Sequence, residues 1–474
     1  MMAYHDLRSF LKVLENEGQL VRFKEEVDPE PNISAAGRAA SNMKNGPAVY
    51  FEKIKGYKGP VVTNVHGSWA NHALMMGMDK NTTTKDQFFE LSRRWDLYPV
   101  EPKILSRSEA KCKEVEITEN IDLFDILALY RVNEQDGGYY ISKASVITAD
   151  PEFPGDFDKM NVGTYRIQVK DKDRVGILPL AVHDIAIQLE KAEAVGKNLP
   201  ICITLGNDPI TTFMASTPIA YDQSEYKFVG ALNNGVPAEI VKSDLFDHLY
   251  VPAHCEVVLE GEIISRLRTV EGPFGEFPGS YSGCRKLCEV QIKKVTHRTN
   301  PIFENLYLGL PWTEIDFLIA LNTSVPQYKM LKQTMPEVQA VNAMYTHGIG
   351  TIISTRCRYG GYGKSVAFRL LSTPHGMPYT KVVIVVDDFV DPFNLEQVMW
   401  ALTTRVKPGK DVVVIPNCPG IPLDPSSNPV GMHDKLIIDA TTPAPPEPNP
   451  RETQLLSPPI GSDKWEEVIR GLMK

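Results

Sequence analysis

No run of about 18 apolar residues occurs in the 474-residue chain, so no segment is expected to span a bilayer. The opening "MMAYHDLRSF" lacks the basic-then-apolar layout of a secretory leader. Basic stripes are missing too: 50 Lys and Arg stand against 59 Asp and Glu, for a net charge of -9. That balance argues against a general nucleic-acid binder. Cysteine is sparse, seven residues spread along the chain, an odd number that points to reduced thiols and a cytoplasmic protein. Cys284 and Cys288 stand closest together, but no second pair at zinc spacing joins them. Also missing is a Gly-x-Gly-x-x-Gly turn after a strand with an acid about 20 residues on, the signature of a nicotinamide site. An ordinary flavoprotein oxidoreductase would need such a site or one for a redox partner.

What is present is a soluble composition, 43% hydrophobic and 23% charged, in a chain too long for one core. Two or three domains are expected. Asp6 is placed to cap a helix over residues 6–17, with Leu7, Phe10, Leu11 and Leu14 at i, i+3, i+4 and i+7 and Gly18 as the stop. "PAVYFE" (47–52) and "VVTNV" (61–65) read as strands, so the first 110 residues or so form a small α/β unit. From about 114 to 300 the chain turns to short Val-, Ile- and Tyr-rich runs such as "YYISKASVITA", "GTYRIQVK" and "CEVVLEGEII". Gly, Pro and Asp clusters separate them, and the pattern predicts a mostly antiparallel barrel. In the last third, "KVVIVVDD" (381–388), "NLEQVMWALTTR" (394–405) and "DVVVIP" (411–416) read as strand, helix, strand, a right-handed βαβ unit on a parallel sheet. "TTPAPPEPNP" (441–450) cannot be regular structure and is expected to run as an extended arm over the surface or a neighbouring subunit.

The chemistry concentrates in a few places. "TVEGPFGEFPG" (269–279) holds Glu271 and Glu276 on a turn that Gly272 and Gly275 make compact and Pro273 and Pro278 stiffen. A solvated loop is the plain reading; a pair of acid/base groups is the sharper one. In "NVGTYRIQVK" (161–170), strand alternation puts Thr164 and Arg166 on one face, and a buried arginine there needs an anionic partner. Glu271 and Glu276 are candidates to flank Arg166. The carboxyl beside Phe274 and Phe277 would then be raised by burial and serve as a proton donor. His183 lies where a strand gives way to a helix, and Glu225 lies near a helix start; each alone is an ordinary structural residue. Together, Asn161, His183 and Glu225 offer an amide oxygen, an imidazole and a carboxylate, a set that suits Mn²⁺ or Mg²⁺.

"NVGTYR", the His of "LAVHD", the Glu of "DQSEY" and above all "EGPFGE" resemble the UbiD-type decarboxylases, which use prenylated FMN. The resemblance extends through "LYLGLPWTE", "YGGYGK" and "DDFVDPFNLEQVMWALTTR". "SNPVGMHDKLIIDATTP" is most similar to the large C subunit of the bacterial hydroxybenzoate and vanillate (phenolic acid) decarboxylases. The resemblance implies an α+β multidomain fold. Its parts are an N-terminal α/β domain (1–113), a split β-barrel binding the flavin (114–305), a linking helix (306–335) and a C-terminal α/β oligomerisation domain with the proline-rich tail (336–474). It implies a divalent ion on Asn161, His183 and Glu225 that clamps the cofactor phosphate. It also implies a Glu271–Arg166–Glu276 catalytic network with Glu276 as proton donor, and Thr164, Tyr165 and Arg166 lining the cofactor. A lysine near the phosphate falls on Lys381, with Lys364 as the other choice.

The implied reaction is reversible decarboxylation of phenolic acids, with polyprenyl-hydroxybenzoates or cinnamates as the alternative substrates. Implied companions are a flavin prenyltransferase that supplies the cofactor, a small accessory subunit, a monovalent cation such as K⁺, and further copies of the chain in a dimer or hexamer. Val182 before the metal histidine and "EFPG" after Glu276 depart from some relatives, and both bear on the substrate pocket. A non-catalytic scaffold would be favoured by a broken Glu-Arg-Glu set, and the set is intact.

Overall fold

The computed structural model describes residues 4–345, 348–448, 456 and 459–472. Its first helix, α1 (Leu7–Asn16), starts where the capping chemistry requires. Asp6 Oδ1 accepts the Ser9 N–H at 2.8 Å and Ser9 Oγ accepts the Asp6 N–H at 3.1 Å, while Leu7, Phe10, Leu11 and Leu14 are buried. After Gly18 turns the chain in the left-handed region come β1 (Leu20–Val27), α2 (Pro29–Asn42), β2 (Ala48–Ile54), β3 (Val61–Thr63), α3 (Trp69–Met75) and α4 (Thr84–Trp95). β1, β2 and β3 form one small sheet.

After β4 (Lys103–Leu105), β5 (Val115–Ile117) and α5 (Leu123–Ile126), the central zone is the antiparallel barrel that the short apolar runs predict. Its chain order is β6 (Tyr140–Ala149), β7 (Met160–Asp171), β8 (Arg174–Ile177), α6 (Asp184–Ala194), β9 (Leu199–Leu205), α7 (Pro209–Ala215), α8 (Glu225–Leu232), β10 (Glu239–Lys242), β11 (Tyr250–Pro252), β12 (Val257–Glu271) and β13 (Arg285–His297). The strands run β12-β9-β6-β7-β8-β13, and β12 pairs back onto β13, closing a six-stranded barrel in which every pairing is antiparallel. β5 extends it beside β13, while β4, β10 and β11 make a separate three-stranded sheet.

β14 (Phe303–Glu304) then returns to the first sheet and pairs with β3. The linking segment is two helices, α9 (Glu314–Leu318) and α10 (Leu321–Thr334). The last zone contains β15 (Val338–Tyr345), β16 (Gly350–Thr355), α11 (Tyr362–Leu371), α12 (Gly376–Tyr379), β17 (Val382–Asp387), α13 (Leu395–Arg405), α14 (Pro408–Asp411), β18 (Val412–Pro419), β19 (Met432–Ala440) and α15 (Ser462–Leu472). Its sheet order, β15-β16-β17-β19-β18, corrects one expectation. β17 and β18 are not neighbours in a parallel βαβ unit: β19 lies between them, parallel to β17, and β18 runs antiparallel on the edge. The apolar run of β18 imitates a buried strand, yet Val414 is 58% exposed. β19, with Ile437 and Ala440 fully buried, takes the inner place.

The start of the proline-rich arm lies along the head of α11, where Gly360 N–H donates to Pro445 O at 3.0 Å; residues 449–455 lie outside the described residues. Among the described residues, no helix is long and apolar enough to cross a membrane.

Candidate active site

β12 ends at Glu271 and β13 begins opposite it at Arg285, so the glutamate turn is the tip of a hairpin. Gly272 adopts φ 92°, a conformation open to glycine. Phe274 and Ser282 close the turn, Phe274 N–H donating to Ser282 Oγ at 3.2 Å and Ser282 N–H to Phe274 O at 2.8 Å. Phe274 is fully buried, which explains why a Gly/Pro-rich turn is not a solvated loop.

Arg166 reaches this turn from β7. Its Nη2 lies 2.8 Å from Glu271 Oε2, and its Nη1 bonds Glu276 Oε1. Both carboxylates are at most 5% exposed. The guanidinium also lies 5.4 Å over the Phe274 ring. Burial pushes the Glu276 carboxyl above its ordinary value, against the pull of Arg166. Burial opposes the charge on Arg166, but Glu276 and Glu271 outweigh it and hold the guanidinium protonated. Arg166 is therefore a fixed cation between two acids, one of which sits in surroundings that favour its protonated form.

On the same strand, Tyr165 packs against one of the proposed metal ligands. Its ring meets His183 edge-on at 5.3 Å. Gly163 leaves the room: a Cβ there would fall 2.5 Å from the Tyr165 ring. Glu225 stands at the head of α8 and is buried. Burial raises its carboxyl well above the usual range, and Glu225 Oε2 and Asn161 Nδ2 have no partner among the described residues. Burial lowers His183 to about 4, so its imidazole is neutral and able to ligate. His183 Nε2 lies 3.1 Å from Tyr379 Oη. Neutral imidazole, buried carboxylate and amide match the donor set of a manganese or magnesium ion, and a divalent charge would reverse the upward shift at Glu225.

Thr164 Oγ1 accepts a hydrogen bond from Ser216 Oγ at 2.9 Å, so a loop after α7 joins the same wall. Lys381 is not bonded to any of these groups; its Nζ pairs with Asp424 at 2.9 Å and bonds Ser426. Lys364 donates to Lys410 O at the surface.

Comparison with known sequences fits this geometry. Residues 11–91, 103–311 and 316–440 match the N-terminal, Rift-related and C-terminal domains of 3-octaprenyl-4-hydroxybenzoate carboxy-lyase, UbiD. The chain belongs to the UbiD family. It is 75% identical over 473 residues to a phenolic acid decarboxylase of Sedimentibacter hydroxybenzoicus, covering 100% of this chain and 98% of that one. The vanillic acid decarboxylase ShVdcCD of the same organism, solved in closed form, superposes with a TM-score of 0.94 at 75% identity, covering 99% of each chain. An evolved dimeric form of the UbiD-class enzyme HmfF from Pelotomaculum thermopropionicum, in complex with prFMN, gives 0.81 at 31% identity, covering 97% of this chain and 98% of that one.

Several residues of this UbiD chain take part without a sequence signal. Tyr140, on β6, donates to Glu271 Oε1 at 2.9 Å and packs its ring 4.2 Å from that of Phe274. Tyr379 faces His183 from the C-terminal zone. Asp136 accepts the Gly275 N–H at 2.8 Å, next to Glu276. A second acidic cluster, His66, Glu304 and Glu314, is close enough to share an ion. The Lys143 ammonium already stands there, 2.6 Å from Glu304, 2.5 Å from Glu314 and 3.0 Å from His66 Nδ1. That cluster is an ion-pair network. The seven cysteines, Cys284 and Cys288 included, are free thiols.

Proposed function

We propose that this protein removes CO₂ from hydroxylated aromatic acids such as 4-hydroxybenzoate or vanillate, reversibly and without net oxidation, with prenylated FMN as cofactor. The observation that carries the reading is the buried Glu276–Arg166–Glu271 set. Similarity along the whole chain to a phenolic acid decarboxylase and to a vanillic acid decarboxylase supports the substrate class. The prFMN complex of HmfF supports the cofactor.

Losing CO₂ from an aryl acid leaves an sp² carbanion whose charge lies in the ring plane, beyond the reach of the ring's own delocalisation. Prenylated FMN, when bound, supplies the electrophilic carbon that side chains lack. Arg166 and Glu271 form the fixed ion pair of the site. Glu276 delivers the proton that replaces CO₂ on the ring carbon. A para-hydroxyl on the substrate eases the step by allowing a quinoid ring. Asn161, His183 and Glu225 would hold Mn²⁺ or Mg²⁺ against the cofactor phosphate, with Thr164, Tyr165 and Arg166 along its wall. Lys381 lies two residues beyond Tyr379, the partner of His183, which supports its approach to that phosphate.

A flavin prenyltransferase would supply the cofactor, and a small accessory chain would match the two-part ShVdcCD name. The free thiols suit a reducing cytoplasm. Self-association through the C-terminal zone is supported by its exposed apolar side chains. The test is CO₂ release from a phenolic-acid panel by protein co-expressed with a flavin prenyltransferase. Turnover is expected only with that partner; full turnover after reconstitution with plain FMN would sink the proposal.

A further inference from the structure

The proton donor sits on a turn whose tip is held from outside by residues 133–137. Asp136 is 6% exposed. Its Oδ1 accepts the Gly275 N–H at 2.8 Å and its Oδ2 accepts the Asn133 N–H at 2.8 Å, so one carboxylate serves a donor on each loop. Gly137 N–H donates to Pro273 O at 2.7 Å, and Gln135 N–H to Tyr281 Oη at 3.1 Å. The approach leaves no space for side chains: a Cβ on Gly275 would fall 2.2 Å from Asn133 Nδ2, and one on Gly137 2.1 Å from Gly272 O. Asn133 Nδ2 in turn donates to Leu308 O at 2.8 Å, which anchors the loop to the segment before α9.

We propose that Asp136 is the positioning residue for Glu276, fixing it through the Gly275 N–H one peptide away. The inference rests on the reading of Glu276 as proton donor. Losing the carboxylate leaves the buried Gly275 N–H and the half-buried Asn133 N–H without this acceptor and frees the turn's tip. A displacement of about 1 Å at a reacting group is enough to cost on the order of 100-fold in rate. The titratable and charged groups facing Asp136 are Arg166 on β7, Arg131, which pairs with Glu30 at 3.0 Å, and the hydroxyls of Tyr140 and Tyr307. A cleft of about 640 Å³ lined by Pro29, Glu30, Arg131, Asp136 and Tyr139 opens beside this loop. Burial raises that carboxyl to about 6, so a fall in pH through that value takes away one acceptor oxygen.

The experiment uses D136N, E276Q and the double variant, each co-expressed with a flavin prenyltransferase and normalised to bound flavin. It reads kcat, KM, ring H/D exchange and the pH profile. D136N is expected to lose on the order of 10- to 100-fold in kcat, with KM little changed. The wild type is expected to lose rate along an acid limb below about pH 6, whereas D136N should run at one low rate on both sides of that point. On the E276Q background it should cost nothing further, because Asp136 acts through Glu276. Wild-type kcat with the limb intact in D136N overturns the inference, as does an equal loss on both backgrounds, which marks a general structural role. If E276Q itself keeps wild-type exchange, the reading of Glu276 fails instead. Should D136N not fold, D136S, with a smaller acceptor in the same place, is judged by the same readouts.

Discussion

Glu271 and Glu276 meet one guanidinium from the two ends of a short turn, in different surroundings. Glu271 is shared between Arg166 Nη2 and the Tyr140 hydroxyl, so both oxygens have fixed partners. Burial raises Glu276 against the pull of Arg166. The two should therefore fail differently. Glu276→Gln keeps the shape and one acceptor oxygen but cannot deliver a proton. It should bind cofactor and substrate, yet lose turnover on the order of 10²–10⁴-fold, with ring H/D exchange falling in parallel. Glu271→Gln leaves Arg166 without one of its buried counter-charges, so binding and rate should both suffer. The comparison is decarboxylation and exchange per bound cofactor. Wild-type exchange in Glu276→Gln would place the acid elsewhere and reduce the turn to a scaffold for Arg166.

At the scale of elements, the zones are held together by charge as well as by apolar packing. Lys143 on β6 ties the barrel to β14 through Glu304, to α9 through Glu314 and to the N-terminal zone through His66, with both carboxylates and the ammonium at most 2% exposed. Lys143 pulls Glu314 down to about 2 against the effect of burial. A carboxyl depressed on folding stabilises above its unfolded value, about 4.3, and that contribution fades as pH falls towards 2. Lys143→Met should strand two buried carboxylates and cost about 3–5 kcal/mol, read as a lower thermal midpoint. Adding Glu304→Gln and Glu314→Gln should recover much of it; an unchanged midpoint in Lys143→Met would remove the network from the account.

None of these pairings is visible in the sequence, because the partners of Lys143 lie 161 and 171 residues away and no periodicity links them. What was legible is local. The Asp6 cap, the stop at Gly18, the short barrel strands, the alternation that brings Thr164 and Arg166 to one face, and the Gly/Pro turn all follow from neighbours in the chain. The place of β18 was not legible, since an apolar run does not say which strand will lie beside it. Tyr140 and Asp136 escaped for the same reason: each gains its role only when β6 and the loop before it close against the hairpin tip.

For the whole molecule, the surface left over after folding is informative. α13 buries Val398 and Ala401 against the sheet, yet Leu395 and Met399, one turn apart, are 51% and 58% exposed. Trp400 and Phe389 stand beside them under the Arg405 guanidinium, and Val414 on edge strand β18 is likewise open. α15 adds Trp465, Val468, Ile469 and Leu472, all exposed. Exposed apolar side chains and an open strand edge in one zone are features expected of a surface that meets another chain. A second copy is the simplest occupant, and the dimeric form of HmfF shows that a UbiD-class relative can pair. The protein should therefore be at least a dimer at micromolar concentration. Met399→Glu should shift it towards monomer, because a carboxylate placed in an apolar contact must be desolvated without a partner. Its secondary structure should stay unchanged, since the side chain is outside the core. Light scattering with far-ultraviolet circular dichroism reads both. A clean wild-type monomer refutes self-association, and a wild-type oligomer that survives Met399→Glu intact moves the interface off α13.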